Sequence, residues 1–174
     1  MSPEAEAVFL WLKDAGNPEK AEFLQGFFKT GPGEYGEGDL FLGVTVPQQR
    51  LIAKTLAPQA PLPLLAELIQ HPYHEMRLTG LLALVYRFEK TSSEGDRQEL
   101  VDFYLAHLPW INNWDLVDAS AHIILGQWLE NKDRKVLYTL AVDPLLWRNR
   151  IAVVATWHFI RKKNDLKDIL KLSK

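Results

Sequence analysis

The chain has no cysteine among its 174 residues. That excludes disulfides, thiolate metal centres and cysteine nucleophiles. It also lacks any run approaching the roughly 18 to 20 consecutive apolar residues that a bilayer span requires. At the N-terminus no basic stretch precedes an apolar segment, and Glu4 and Glu6 stand there instead. The sequence therefore predicts no secretory leader, no membrane partner and a cytoplasmic location. Also missing are a glycine-rich phosphate loop, a Gly-x-Ser-x-Gly elbow and a His-Glu-x-x-His helix. Five histidines (His71, His74, His107, His122 and His158) are scattered along the chain. His71 and His74 lie three apart, but no carboxylate cluster completes a ligand set, so neither a metal nor a cofactor is expected.

What is present belongs to a folded protein. Apolar residues make up 47% and charged residues 24%, outside the range of disordered or low-complexity chains. The length suits one domain or one short array of repeats, and residues 1–174 are read as a single domain. A net charge of -2 argues against a polyanion partner, but the charge is unevenly spread. Residues 1–40 hold eight acids and three bases, a balance of -5. Residues 145–174 hold eight bases (Arg148, Arg150, Arg161, Lys162, Lys163, Lys167, Lys171 and Lys174) against Asp165 and Asp168, a balance of +6. A basic C-terminal face can meet a polyanion, or can simply be a solvated helix end.

Almost every segment reads as helix. Ser2-Pro3 and Asn17-Pro18 are start signals, and Gly16 is a stop between them. Val8, Phe9 and Leu12 give the first helix an apolar stripe, and Ala21, Leu24 and Phe28 give one to the second. Residues 30–40 contain four of the ten glycines and read as a flexible loop. Thr45 opens a third helix with Leu51, Ile52 and Leu56 inward, and Pro58, Pro61 and Pro63 end it and start a short one. The clearest helix is 74–90, where Leu78, Leu81, Leu82, Val85 and Phe88 recur at three and four. Helices over 93–108, 113–131 (inward through Val117, Ala121, Ile124 and Trp128), 133–142 and 143–162 follow, and a last piece begins near Asp165. No strand is predicted.

The helices come in pairs whose second members begin near residues 74, 113 and 146, the spacing of helical repeats. Two of these also align, with Arg77 and Arg150 in the first turn ahead of an apolar run. The expected fold is all-α, an α-solenoid with a concave groove. The alternative is a non-repetitive helical bundle.

Two stretches stand out chemically. Trp114 and Asp118 are four apart at the start of a helix and share a face. An exposed tryptophan beside a carboxylate points to a site, and the alternative is a core indole beside a solvated acid. Trp147-Arg148-Asn149-Arg150 opens the next long helix, where a first-turn arginine can hold a phosphate. Arg150 can equally bridge a neighbouring acid, Asp118 among them, and an aspartate kept ionised in that way is itself a prepared catalytic group.

At these residues the sequence resembles the AlkD-like DNA alkylation repair proteins. The resemblance lies in Trp114-Asp115-Leu116-Val117-Asp118, Leu125-Gly126 and Trp147-x-x-Arg150. It extends to Asn17-Pro18-Glu19-Lys20-Ala21, Phe41-Leu42-Gly43-Val44-x-x-Pro47-x-x-Arg50 and His74-Glu75-x-Arg77, in order along the chain. The resemblance implies a HEAT-like α-α superhelix and a DNA glycosylase that removes N3- and N7-alkylated purines without extruding the base. It implies a monomer acting on double-stranded DNA, with no cofactor. Asp118 would be the catalytic carboxylate, Trp114 would pack on the deoxyribose and Arg150 would grip the adjacent phosphate. Phe27, Arg148, His158 and Lys162 would contact DNA. Three features depart from the family. The chain ends at Lys174, short of the C-terminal helices that members usually carry. Phe27 stands where a tyrosine is frequent, and His158 stands where a lysine contacts DNA. The rival function is a catalytically inactive HEAT-repeat scaffold that binds DNA or protein.

Overall fold

In a computed structural model the described residues are 1–172, so Lys174 of the basic segment lies outside them. Ten α-helices and one 3-10 turn, with no strand, make up the regular structure of the described residues. They are α1 (Pro3–Asp14), α2 (Pro18–Phe27), α3 (Val46–Leu56), α4 (Leu62–Ile69), α5 (His74–Lys90), α6 (Glu94–Ala106), α7 (Trp114–Trp128), α8 (Lys135–Ala141), α9 (Leu146–Lys163) and α10 (Lys167–Leu172). The fold is an all-α helical-repeat fold. The chain divides into two compact units, Met1–Arg87 and a second from Phe88 onward.

In the first unit, caps set the helix starts. The Ser2 side chain accepts the Ala5 amide and the Asn17 side chain accepts the Lys20 amide, each with proline next to it. Thr45 and Gln48 form a capping box at α3. The core gathers Ala5, Val8, Leu12, Ile52, Leu65, Leu68, Leu81 and Leu82, all buried. Leu51, expected to face inward, is 66% exposed, because Ile52 and Ala53 take the buried arc of α3. Residues 30–40 are organised by their own acids: Glu34 accepts the Gly31 amide and Glu37 the Gly33 amide. Beyond them the buried Glu75 carboxylate accepts the amides of Leu42, Gly43 and Val44. Gly43 lies there at φ 78°, and a Cβ would meet the Asn17 carbonyl oxygen at 2.0 Å, so no other residue fits.

Asp39 closes this unit with a buried ion pair to Arg77 and a 3.2 Å contact to His74 Nδ1. Burial opposes its ionisation, but the His74 hydrogen bond and the Arg77 charge outweigh burial and hold the carboxyl below its ordinary 3.8. A carboxyl depressed in the folded state adds stability above its unfolded value and loses it as pH falls through the folded one. Thermal unfolding followed from pH 7 down to pH 3 should therefore show a steeper loss of Tm in the parent than in Asp39→Asn. Parallel curves would remove Asp39 from the acid response.

In the second unit, Ser93 caps α6 and Asn113 caps α7. Arg97 lies 4.1 Å over the Phe88 ring, and Tyr104 and Ser120 pair at 3.0 Å in the interior. Buried Leu116, Val117, Ala121, Ile124 and Leu125 form the inner arc of α7. Trp128, expected in that arc, is only half-buried and carries Lys132 over its ring at 4.1 Å. The helix expected from residue 143 begins at Leu146. Asp143 spends its carboxylate on the turn, accepting the Leu145 amide and pairing with Arg148. Asn164, left-handed at φ 51°, ends α9. Arg134 then binds Asp165 at 3.0 Å, pairs with Asp168 and lies over Phe159, which ties α10 to the unit.

Candidate nucleic-acid interface and carboxylate site

The site lies in the second unit, where α7 packs along α9. Their close approach rests on Gly126. A Cβ there would stand 2.6 Å from the His158 Cβ and 2.7 Å from the Ala155 carbonyl oxygen. With the two backbones this near, side chains on adjacent arcs of the pair reach one another.

Asp118 and Arg150 meet in that way. Arg150 Nε donates to Asp118 Oδ1 at 2.9 Å and Nη2 to Oδ2 at 2.6 Å, a bidentate fork. Both side chains keep 40% of their surface open to solvent. The carboxylate is thus neither free in water nor sealed beneath packing. The hydrogen bond to Asp118 raises the Arg150 pKa against the opposing effect of burial, so the guanidinium stays charged. Trp114, half-buried, begins α7 one turn before Asp118, and the spacing puts it on the same face. Asp115 turns to its own helix and accepts the Leu116 amide.

The remaining residues of the expected DNA surface are placed differently. Arg148 is paired with Asp143 at 2.7 Å. His158 Nε2 lies 3.0 Å from Glu130, whose carboxyl that hydrogen bond and Lys163 hold below its usual value. Lys162 is exposed in the last turn of α9. Phe27 belongs to the first unit, 52% exposed and stacked on Phe23 at a 6.0 Å ring distance. Local acids therefore hold Arg148, Arg150 and Lys163, while Arg161 and Lys162 are exposed near the end of α9.

The sequence singled out neither His122 nor Trp157, yet both extend this face. His122 follows Asp118 by one turn, and its ring lies 5.0 Å from that of Trp157, which is 46% exposed. Arg161 sits over the indole at 5.1 Å. Burial, more than neighbouring charge, pushes the His122 pKa down, so the ring is neutral at pH 7. The signal available in the sequence was the spacing: four from Asp118, then seven and eleven from Arg150. Among the described residues no group of three or more His, Asp or Glu side chains is placed to hold a metal. Nor is any helix among them long and apolar enough to cross a membrane.

A model of the DNA alkylation repair enzyme family matches residues 10–174, nearly the whole chain. The chain belongs to that family. No curated protein and no solved structure matches it. The DNA alkylation repair enzyme family carries a DNA substrate in its name. Within the chain, the matched span includes Trp114, Asp118 and Arg150.

Proposed function

We propose that the protein is an alkylpurine DNA glycosylase that hydrolyses the N-glycosidic bond of N3- or N7-alkylated purines without flipping the base out of the duplex. The observation that carries this reading is the half-open, bidentate Asp118–Arg150 pair one turn along α7 from Trp114. An alkylated purine carries a positive charge and leaves as a neutral base, taking the electron pair of its bond to C1′. The charge that remains develops on the sugar as an oxocarbenium ion. A fixed carboxylate at that place stabilises it. Water then adds to C1′ and gives its proton to solvent. The lesion is already activated for departure, so the site needs no strong acid, which suits a face where the His122 ring, one turn from Asp118, is neutral.

Trp114 packs its ring on the deoxyribose and holds the lesion near Asp118. Arg150 does two jobs in sequence. It keeps Asp118 oriented in the free protein, then shares its guanidinium with the phosphate next to the lesion. Lys162 adds charge beside it, while Arg148 and His158 reach DNA from within their pairs with Asp143 and Glu130. Phe27 supplies an exposed aromatic contact from α2. The HEAT-like stacking of helix pairs with a groove for the duplex, action as a single monomeric domain, and a cytoplasmic location belong to the same proposal.

The test is release of free 7-methylguanine or 3-methyladenine from methylated duplex DNA, separated by chromatography, beside the Asp118→Asn variant. Release by the parent and loss in the variant support the reading. Equal release from both would sink the role of Asp118, and salt-sensitive DNA binding without release from either would leave a binding scaffold.

A further inference from the structure

We propose that Trp157, backed by His122 and covered by Arg161, is a second DNA-contacting platform, which takes a nucleotide and its phosphate along α9 from the carboxylate site. This rests on the reading of the protein as a DNA-binding repair enzyme. Val153, Trp157 and Arg161 recur at every fourth residue and form one row on α9. Val153 is 41% and Trp157 46% exposed, a large apolar area to leave in water. Packing supports the indole: the His122 ring stands 5.0 Å away on α7, one turn from Asp118. The indole is therefore held in place before any ligand arrives.

The charge beside the row selects the ligand. Arg161 lies over the indole at 5.1 Å and Lys162 follows it, with no acid paired to either among the described residues. Arg150 lies eleven residues before Arg161, about 16 Å along the helix axis at 1.5 Å per residue. A strand gripped at Arg150 reaches Arg161 within about five nucleotides at 3.4 Å of duplex axis each. A flat aromatic ring interleaved with cations at such spacing fits a nucleic-acid backbone, with the ring against a sugar or base and the guanidinium on the adjoining phosphate. An apolar protein partner would leave both cations unmatched.

The test uses the whole chain and a fluorescein-labelled methylated duplex, read by anisotropy across a salt series. Trp157→Ala is expected to weaken binding by about 5- to 100-fold. Trp157→Phe should restore most of that loss, since a flat ring remains. Arg161→Ala should lower the slope of log K against log salt by about 0.9, the value of one phosphate contact. If the parent binds and Trp157→Ala binds within twofold of it, the platform is refuted. Trp157→Phe as weak as Trp157→Ala would assign the indole to packing and refute it too. A parent with no salt-sensitive duplex binding would bring down the DNA reading itself, and the platform with it.

Discussion

Asp118→Asn should release alkylated purines at least about 100-fold more slowly than the parent at saturating enzyme, the scale on which removing one preorganised electrostatic contact acts. The amide keeps the shape of the side chain and one acceptor oxygen but removes the charge that faces the sugar cation. Two other effects must be separated from this one. Loss of the fork to Arg150 costs little stability, because both side chains are 40% open and water screens them. Tm should therefore stay within about 2 °C of the parent. Binding should not fall either. Arg150, no longer neutralised by a carboxylate, faces the phosphate alone, and one negative charge has left the contact surface. The expected signature is a collapsed rate with equal or tighter Kd for methylated duplex. A variant that loses rate and affinity together would instead make Asp118 a group that positions Arg150.

Much of this architecture is legible in the sequence, and the reason is local. Pro3, Pro18 and their caps mark helix starts that no tertiary contact overrides, and the second helices begin at 74, 114 and 146, where the repeat spacing puts them. The discrepancies lie where a side chain has two possible uses. Asp143 reads as a helix start but closes a turn and holds Arg148, which delays α9 to Leu146. Leu51 reads as core because it is apolar, yet its neighbours fill the arc that is buried.

The candidate site shows the same limit more sharply. Arg77 and Arg150 occupy the same place in two helices that align, and each finds an aspartate. The Arg77 pair with Asp39 is sealed, at 5% and 4% side-chain exposure, whereas the Arg150 pair with Asp118 is open at 40% on both sides. One repeated sequence feature thus produces a sealed pair and a solvent-accessible one. Burial alone separates them, and burial depends on what the rest of each unit lays over the pair. His122 and Trp157 are hard to read from the sequence for a related reason: neither has a motif, and their meaning comes from facing each other across α7 and α9.

The close approach of α7 and α9 carries the second large effect. Glycine inside a helix ordinarily costs about 1 kcal/mol relative to alanine, so Gly126→Ala at an indifferent position would stabilise the protein. Here the sign should reverse. The added Cβ meets the His158 Cβ at 2.6 Å and the Ala155 carbonyl oxygen at 2.7 Å, and the second of these is backbone that cannot rotate away. Gly126→Ala should lower stability by about 1 to 3 kcal/mol, and Gly126→Val by about 3 kcal/mol or more, because overpacking pushes the helices apart. For a unit of this size each kcal/mol corresponds to roughly 4 to 8 °C in Tm, so calorimetry resolves both. The alanine variant also bears on function. Gly126 lies two turns beyond Asp118 on α7, as His158 lies two turns beyond Arg150 on α9, so a wedge at one end of the pair changes the distance across the fork at the other. Gly126→Ala should remain folded at 25 °C yet release base more slowly, with Arg150 drawn off Asp118. If its Tm rises instead, the helices do not depend on this contact, and the geometry that joins Asp118 to Arg150 must be held by other packing.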